Sequence, residues 1–487
     1  MKLRHVFSVL LTGLLLNCQP DLDVAPLGLP ATTTFYKTAK DAESAVTAAY
    51  ATLLAIYDSE NIVTPTTVGS DDGVPFLTGN ADRVALWKYN LVSTNTFVNN
   101  VWSQAYSGIQ RANVVINRIP GVAMDETLKK RYVGEAKFLR ALHYFNLVRF
   151  FGDLPLVVGE TTSLEGVEVP RAKTEEIYAQ IEADLKDAEG ALPRSYTGND
   201  IGRATLGAAK GLLSKVYLTQ AGANASSPLW ALAAAKAKEV IELGQYDLWT
   251  NYADVFDMKN RGGKESLFEV LYITDQLGNG HSTHWAPRSA PIVPSNGFGT
   301  IRVAKSLWDG FAANDKRRDA TFLTSYVNPT TGNTVNLSID TSDPALAVSL
   351  WKFADQTAKI SGGKSFPYLR FSDILLVYAE ALSEAANGPT PDAYTALNRV
   401  RNRAGLPPLA GLNRAQFKDA VLQERRLELC WEGNRWFDLV RTGRLVEAVK
   451  SENSFGRNAT IQASNQLFPI PQRERDINPS LTQNPGY

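Results

Sequence analysis

Cysteine is almost missing from this chain: among 487 residues only Cys18 and Cys430 occur. A disulfide framework therefore does not hold the fold together. An excess of charge is missing too, since fifty basic side chains stand against fifty acidic ones. A protein that grips nucleic acid needs a basic face to neutralise phosphates, so this balance argues against a nucleic-acid partner. Histidine is scarce, with only His143, His281 and His284 beyond the N-terminal segment. His143 falls inside a long helical pattern and reads as a core residue. His281 and His284 lie in a Gly/Asn-rich loop with no Cys or acidic partner nearby, a poor donor set for a metal. Nucleophile elbow, P-loop, dinucleotide fingerprint and zincin helix are all missing. Cys430, between Leu429 and Trp431, reads as a buried, inert thiol. Two carboxylates would suffice for a glycosidase, and nothing selects a pair. No catalytic residue, metal or cofactor is expected.

What is present is the balance of a folded globular protein, with 44% apolar and 21% charged residues. The length supports a large core. Nine Trp, eighteen Tyr and twenty Phe must mostly be core, because each buries a large apolar area. A few left in loops would suit a sugar ring.

The N-terminus reads as an address. Lys2 and Arg4 precede an apolar run, Val6 to Leu16, too short to span a membrane as a mature helix. Leu15-Leu16-Asn17-Cys18 resembles the lipobox of bacterial lipoproteins, with Asn17 where a small residue is usual. Residues 1–18 are then a signal peptide and Cys18 the lipidated residue; an ordinary signal peptide cleaved nearby is the alternative. Gln19-Pro20-Asp21-Leu22-Asp23 begins an acidic, extended tether over 19–34. Multiple acyl chains hold a protein on a membrane where one is marginal. No later segment approaches the ~20 apolar residues of a spanning helix.

Helical periodicity is strong in blocks. The spacing predicts helices over Asp41–Tyr57, Asn99–Ile119, Asp125–Phe151, Ala204–Ala221, Leu229–Leu243, Ser372–Ala386, Asp392–Ala404 and Arg414–Trp431. Another begins at Thr174, a hydroxyl cap followed by Glu175 and Glu176, and closes before Pro193. Several form pairs of about 34 residues with small residues at the crossings, as tetratricopeptide units do. The expected fold is all-α: degenerate helix pairs with long irregular insertions near 58–98 and 260–368, in one domain over 35–487. Leu267–Tyr272 reads as β-like. Long irregular segments in a helical protein are where function usually sits.

The block Glu424-Arg425-Arg426-Leu427-Glu428, continued by Glu432-Gly433-Asn434-Arg435-Trp436-Phe437-Asp438-Leu439, reads as a packed, structural ion-pair network. Extended to Gly443, it also resembles the signature of the SusD/RagB family of Bacteroidetes. So do Leu467-Phe468-Pro469-Ile470-Pro471 and the closing Asn484-Pro485-Gly486-Tyr487. Further matches are Phe35-Tyr36, Trp102 with Tyr106, Arg111-Ala112-Asn113, Phe151-Gly152-Asp153-Leu154-Pro155 and Tyr368-Leu369-Arg370. The acidic residues after Cys18 resemble the surface-export signal of lipoproteins from the same group. The resemblance implies an outer-membrane lipoprotein facing the cell exterior. It would serve a SusC-like TonB-dependent transporter by capturing an oligosaccharide or polysaccharide, with peptide as the alternative cargo.

Ligand residues do not transfer by motif, so candidates come from sugar chemistry: aromatic faces for CH groups and short polar side chains for hydroxyls. In the irregular stretches these are Asp71, Asp72, Phe76, His284 and Trp285. Trp87 and Trp102 are assigned to packing. A surface-anchored glycan hydrolase is the competing class, and it lacks a motif.

Overall fold

The computed structural model describes residues 35–163, 168–452 and 454–487. Cys18, the signal peptide and the tether lie outside the described residues. Among the described residues, the long helices are α1 (Ala39–Ile56), α2 (Thr96–Arg118), α3 (Glu126–Phe151), α4 (Thr174–Ala191), α5 (Leu206–Ala221), α6 (Leu229–Glu242), α7 (Phe371–Ala385), α8 (Pro391–Arg403) and α9 (Arg414–Glu428). Their ends follow local chemistry. A capping box opens α1, with Asp41 N donating to Thr38 Oγ1 at 3.2 Å and Thr38 N to Asp41 Oδ2 at 2.9 Å. Gly152, at φ 71°, turns the chain out of α3. Thr174 was expected to cap α4; it is instead the first helical residue. Its N–H and hydroxyl donate to Asp153 Oδ1 at 2.9 and 3.0 Å.

Each helix from α1 to α8 packs on the next in sequence, and α9 returns onto α7 and α8. The series is not interrupted between α6 and α7, although the chain leaves for more than a hundred residues there. Helix α3 is the axis: from Phe138 to Phe151 all of its residues but the ends of a few polar side chains are inside. At about 1.5–3 kcal/mol per fully buried large apolar side chain, this helix dominates the core. Gly108 allows α2 to cross it closely, since a Cβ there would run into the His143 ring. One apolar cluster continues from Ala49 to Leu481.

The insertions are less irregular than their sequence implies. The first holds short helices Val63–Val68 and Ala81–Lys88 and strand β1 (Gly73–Pro75). The second holds β2 (Ser266–Val270), β3 (Ile301–Val303) and β4 (Phe366–Arg370). Strands β1 and β3 pair antiparallel with Pro75 opposite Ile301, and β2 pairs with β4. His281–Trp285 forms one helical turn, not the loop expected. Helix α9 stops at Glu428, three residues early, because Trp431 at φ 56° and Gly433 at φ 74° reverse the chain. Among the described residues no helix is long and apolar enough to cross a membrane.

Candidate functional site

Four of the five sequence candidates turn inward. Asp71 is clamped by Arg435, whose Nε and Nη2 both donate at 2.8 Å. Asp72 accepts from Arg426 Nε at 2.7 Å, and its carbonyl takes the Ala304 N–H. Burial works to raise the Asp71 carboxyl, but Arg426 and Arg435 override it and hold it well below the usual carboxylate range. Burial is also the largest influence on Asp72 and leaves its carboxyl raised. Phe76 is buried under the Arg302 guanidinium, 4.9 Å from the ring centre. Trp285 is 1% exposed, stacked on His281 at 4.7 Å and edge-on to Trp431. None of these four offers a surface to a ligand. The physical reason is that the insertions are tied to the C-terminal signature, not draped over it.

That signature is the ion-pair network expected. Arg425 binds Asp373 at 2.6 Å and Asp438 at 2.9 Å, while Arg441 binds Glu380 at 2.7 Å. Glu428 faces Arg317, Arg370 and Arg403. Burial alone would raise its carboxyl; the three guanidiniums drive it far below the normal range. Cys430 is buried and its thiol pushed up by desolvation, as an inert residue should be. Trp87 and Trp102 are packed inside.

His284 is the candidate that reaches the surface, with 24% of its side chain exposed. Its Nδ1 lies 3.0 Å from Glu60 Oε1, and Arg83 binds the other oxygen of the same carboxylate. Burial works against ionised Glu60, and the neighbouring His284 and Arg83 outweigh it, so its pKa is lowered. The His284 ring meets Phe298 edge-on at 5.2 Å. Phe298 is 43% exposed between Gly297 (φ 62°) and Gly299 (φ 52°). A Cβ on Gly299 would sit 2.8 Å from Arg288 N, so only glycine permits this tight path. Backbone bonds from Phe298 N to Thr283 O (2.7 Å) and Thr300 N to His284 O (2.9 Å) lock the two segments together.

Because Pro75 faces Ile301, the chains leaving that end of the β1–β3 ladder carry Leu77, 52% exposed, and Phe298. The result is an exposed aromatic face, Phe298, held against the imidazole of His284 with the Glu60 carboxylate behind it. Such a surface can stack CH groups and exchange hydrogen bonds with hydroxyls. Sequence reasoning missed Glu60, Arg83 and Phe298. The one usable signal was Gly297-Phe298-Gly299, an aromatic held between glycines in a turn-rich stretch. Among the described residues no three His, Cys, Asp or Glu side chains converge as metal ligands.

Comparison with known proteins accounts for both the helices and the signature. A family model described as "SusD family" matches residues 264–487, and one described as "Starch-binding associating with outer membrane" matches 23–218. The structure resembles a laminarin-binding SusD-like protein with a TM-score of 0.79 and 31% identity, over 93% of this chain and 100% of that one. A SusD superfamily protein from Parabacteroides distasonis gives a TM-score of 0.83 at 27% identity, over 92% and 99%. The starch-binding protein SusD of Bacteroides thetaiotaomicron is 26% identical, with 78% of this chain and 76% of that protein covered. This all-α, tetratricopeptide-like chain belongs to the SusD/RagB family.

Proposed function

We propose that this protein captures a glycan at the cell surface and delivers it to a SusC-like TonB-dependent transporter, and catalyses nothing itself. Its lipid anchor is Cys18 and its place is the outer membrane, facing outward. The observation that carries the reading is the near-complete match to a solved laminarin-binding relative at 31% identity. The exposed ring of Phe298, set edge-on to the partly exposed imidazole of His284, supports it with the right chemistry: a flat ring for CH groups beside a hydrogen-bonding side chain. Residues 35–487 act as a single domain whose helices carry the site, and the insertions present it.

The test is affinity electrophoresis of the purified chain through gels containing laminarin, starch and a panel of plant, host and microbial polysaccharides. Retardation by at least one polymer, with no reducing ends released, is the expected result. Release of reducing ends would overturn the non-catalytic reading. Retardation by none, together with no binding of the matching oligosaccharides by calorimetry, would overturn the glycan reading.

A further inference from the structure

Asn-Gly steps occur at Asn279, Asn296 and Asn387, and the fold treats them differently. At such a step the backbone nitrogen of the glycine can attack the asparagine Cγ, because no Cβ stands in the way. The attack needs the glycine N–H and the asparagine amide unengaged and within reach of water. We infer that Asn296, in the turn that carries Phe298, is a site of spontaneous conversion to aspartate and isoaspartate, while Asn279 and Asn387 are protected.

The protection lies in hydrogen bonds. Asn279 is 2% exposed; its Oδ1 accepts the His281 N–H at 3.1 Å and its Nδ2 donates to Lys364 O at 2.8 Å. Gly280 N donates to Asp58 Oδ1 at 2.7 Å. Asn387 is exposed, but its Oδ1 accepts from the Arg414 guanidinium and Gly388 N donates to Ser383 O at 2.8 Å. Asn296 is exposed, and among the described residues neither its side-chain amide nor the Gly297 N–H has a hydrogen-bond partner. Its own N–H donates to Val293 O at 3.3 Å, and Gly297 O accepts from Ser289 N at 3.2 Å. The two ends of the step are pinned while its reacting atoms are free.

The chemistry balances with water as the one co-reactant. Gly297 N bonds to Asn296 Cγ, its proton leaves with the side-chain nitrogen as ammonia, and a succinimide ring closes. Water then opens the ring at either carbonyl, giving aspartate or isoaspartate. Both products place a carboxylate in the turn, and isoaspartate also adds a carbon to the main chain. The turn has no slack for it: Ser295, Asn296 and Gly297 hold φ of 55°, 58° and 62°, and a Cβ on Gly297 would run into Pro287 O. Phe298 follows directly, so conversion shifts its ring from the edge of His284. The effect on capture rests on the proposed ligand face; the conversion itself does not.

The experiment is peptide mapping by mass spectrometry after storage of the native protein at mildly alkaline pH. The tryptic peptide Ser289–Arg302 holds Asn296 as its sole asparagine and should accumulate the exchange of the amide NH2 for OH. Asn279 and Asn387 must each break a hydrogen bond first, a handicap of about tenfold in rate, and should lag by at least that factor. In urea all three should convert at comparable rates, because only the shared Asn-Gly chemistry remains. Asn296→Gln should stay unmodified there, and its polymer retardation should survive storage while the parent's declines with the converted fraction. A native Asn296 no faster than the other two, or the same ranking in urea, would overturn the assignment. Full retardation of converted protein would overturn the link to the ligand face alone. If no polymer retards even fresh protein, the mapping still decides the conversion.

Discussion

Glu428 and Glu269 are both buried glutamates, and they are opposites. Glu428 has no exposed surface and faces three guanidiniums, from Arg317, Arg370 and Arg403. Glu269 has one backbone N–H and an idle oxygen beside a cavity. Burial raises both carboxyls; the arginines reverse this for Glu428, while Glu269 is left raised to about 7. Burial of an acid therefore does not by itself mark a site. What separates structural from available carboxylates here is whether compensating charge and hydrogen bonds are complete. Glu428 is enclosed by three guanidiniums, whereas Glu269 has no cation paired to it within ion-pair distance.

The largest effect expected from that contrast follows from breaking the closed side. Glu428→Gln leaves Arg317, Arg370 and Arg403 buried with one carboxylate fewer, and removing one partner from such a network costs about 3–5 kcal/mol. Urea unfolding should show a loss of that size, or no folded protein. A loss below about 1 kcal/mol would mean that the remaining acids, Glu265, Glu424 and Glu432, re-pair with the freed arginines, and the network would be redundant.

The open side should respond in the other direction. The folded pKa of Glu269 is raised from 4.5 to about 7 by burial, which outweighs the opposing influence of the Gly262 N–H and Arg261. A raised carboxyl gives stability that is complete below its unfolded pKa and lost as pH climbs through the folded one. Replacing it with Gln removes that loss. Glu269→Gln should equal the parent near the unfolded pKa and exceed it by about 3 kcal/mol once pH has passed well above the folded one, at about 1.4 kcal/mol per unit. Unfolding curves across that range check it. A pH-independent difference would show that Glu269 does not ionise across it.

The same contrast explains what sequence could and could not disclose. Helix stripes were legible because their information is local: the spacing around Trp102, Ile109 and Ala112 placed α2 within three residues of its observed start. The Arg/Glu block was legible as structural because charges at helical spacing interleaved with Trp and Phe have to be buried together. Asp71 and Asp72 misled, since their partner Arg426 stands 354 positions after Asp72, and no local pattern carries that pairing. Trp285 misled for a related reason: the wall it packs on, His281, Phe353 and Trp431, is assembled from three separate segments. Of the loop-face set only His284 was found, because Glu60 and Arg83 become partners of a site only once the 280–300 segment docks beside them.

The smallest stability effect, and the most informative for binding, belongs to Phe298. It is 43% exposed and its main side-chain partner is the edge of His284, so Phe298→Ala should change unfolding free energy by no more than about 0.5 kcal/mol. If its ring stacks on the glycan, the same change should weaken retardation about tenfold, which is about 1.4 kcal/mol of binding. His284→Ala should be milder, because Glu60 stays in place through Arg83. A Phe298→Ala protein that melts like the parent and is retarded like the parent would move the glycan off this face. One that loses both stability and binding would place Phe298 with Glu428 among residues that hold the fold, and the division between closed signature and open surface would have to be redrawn there.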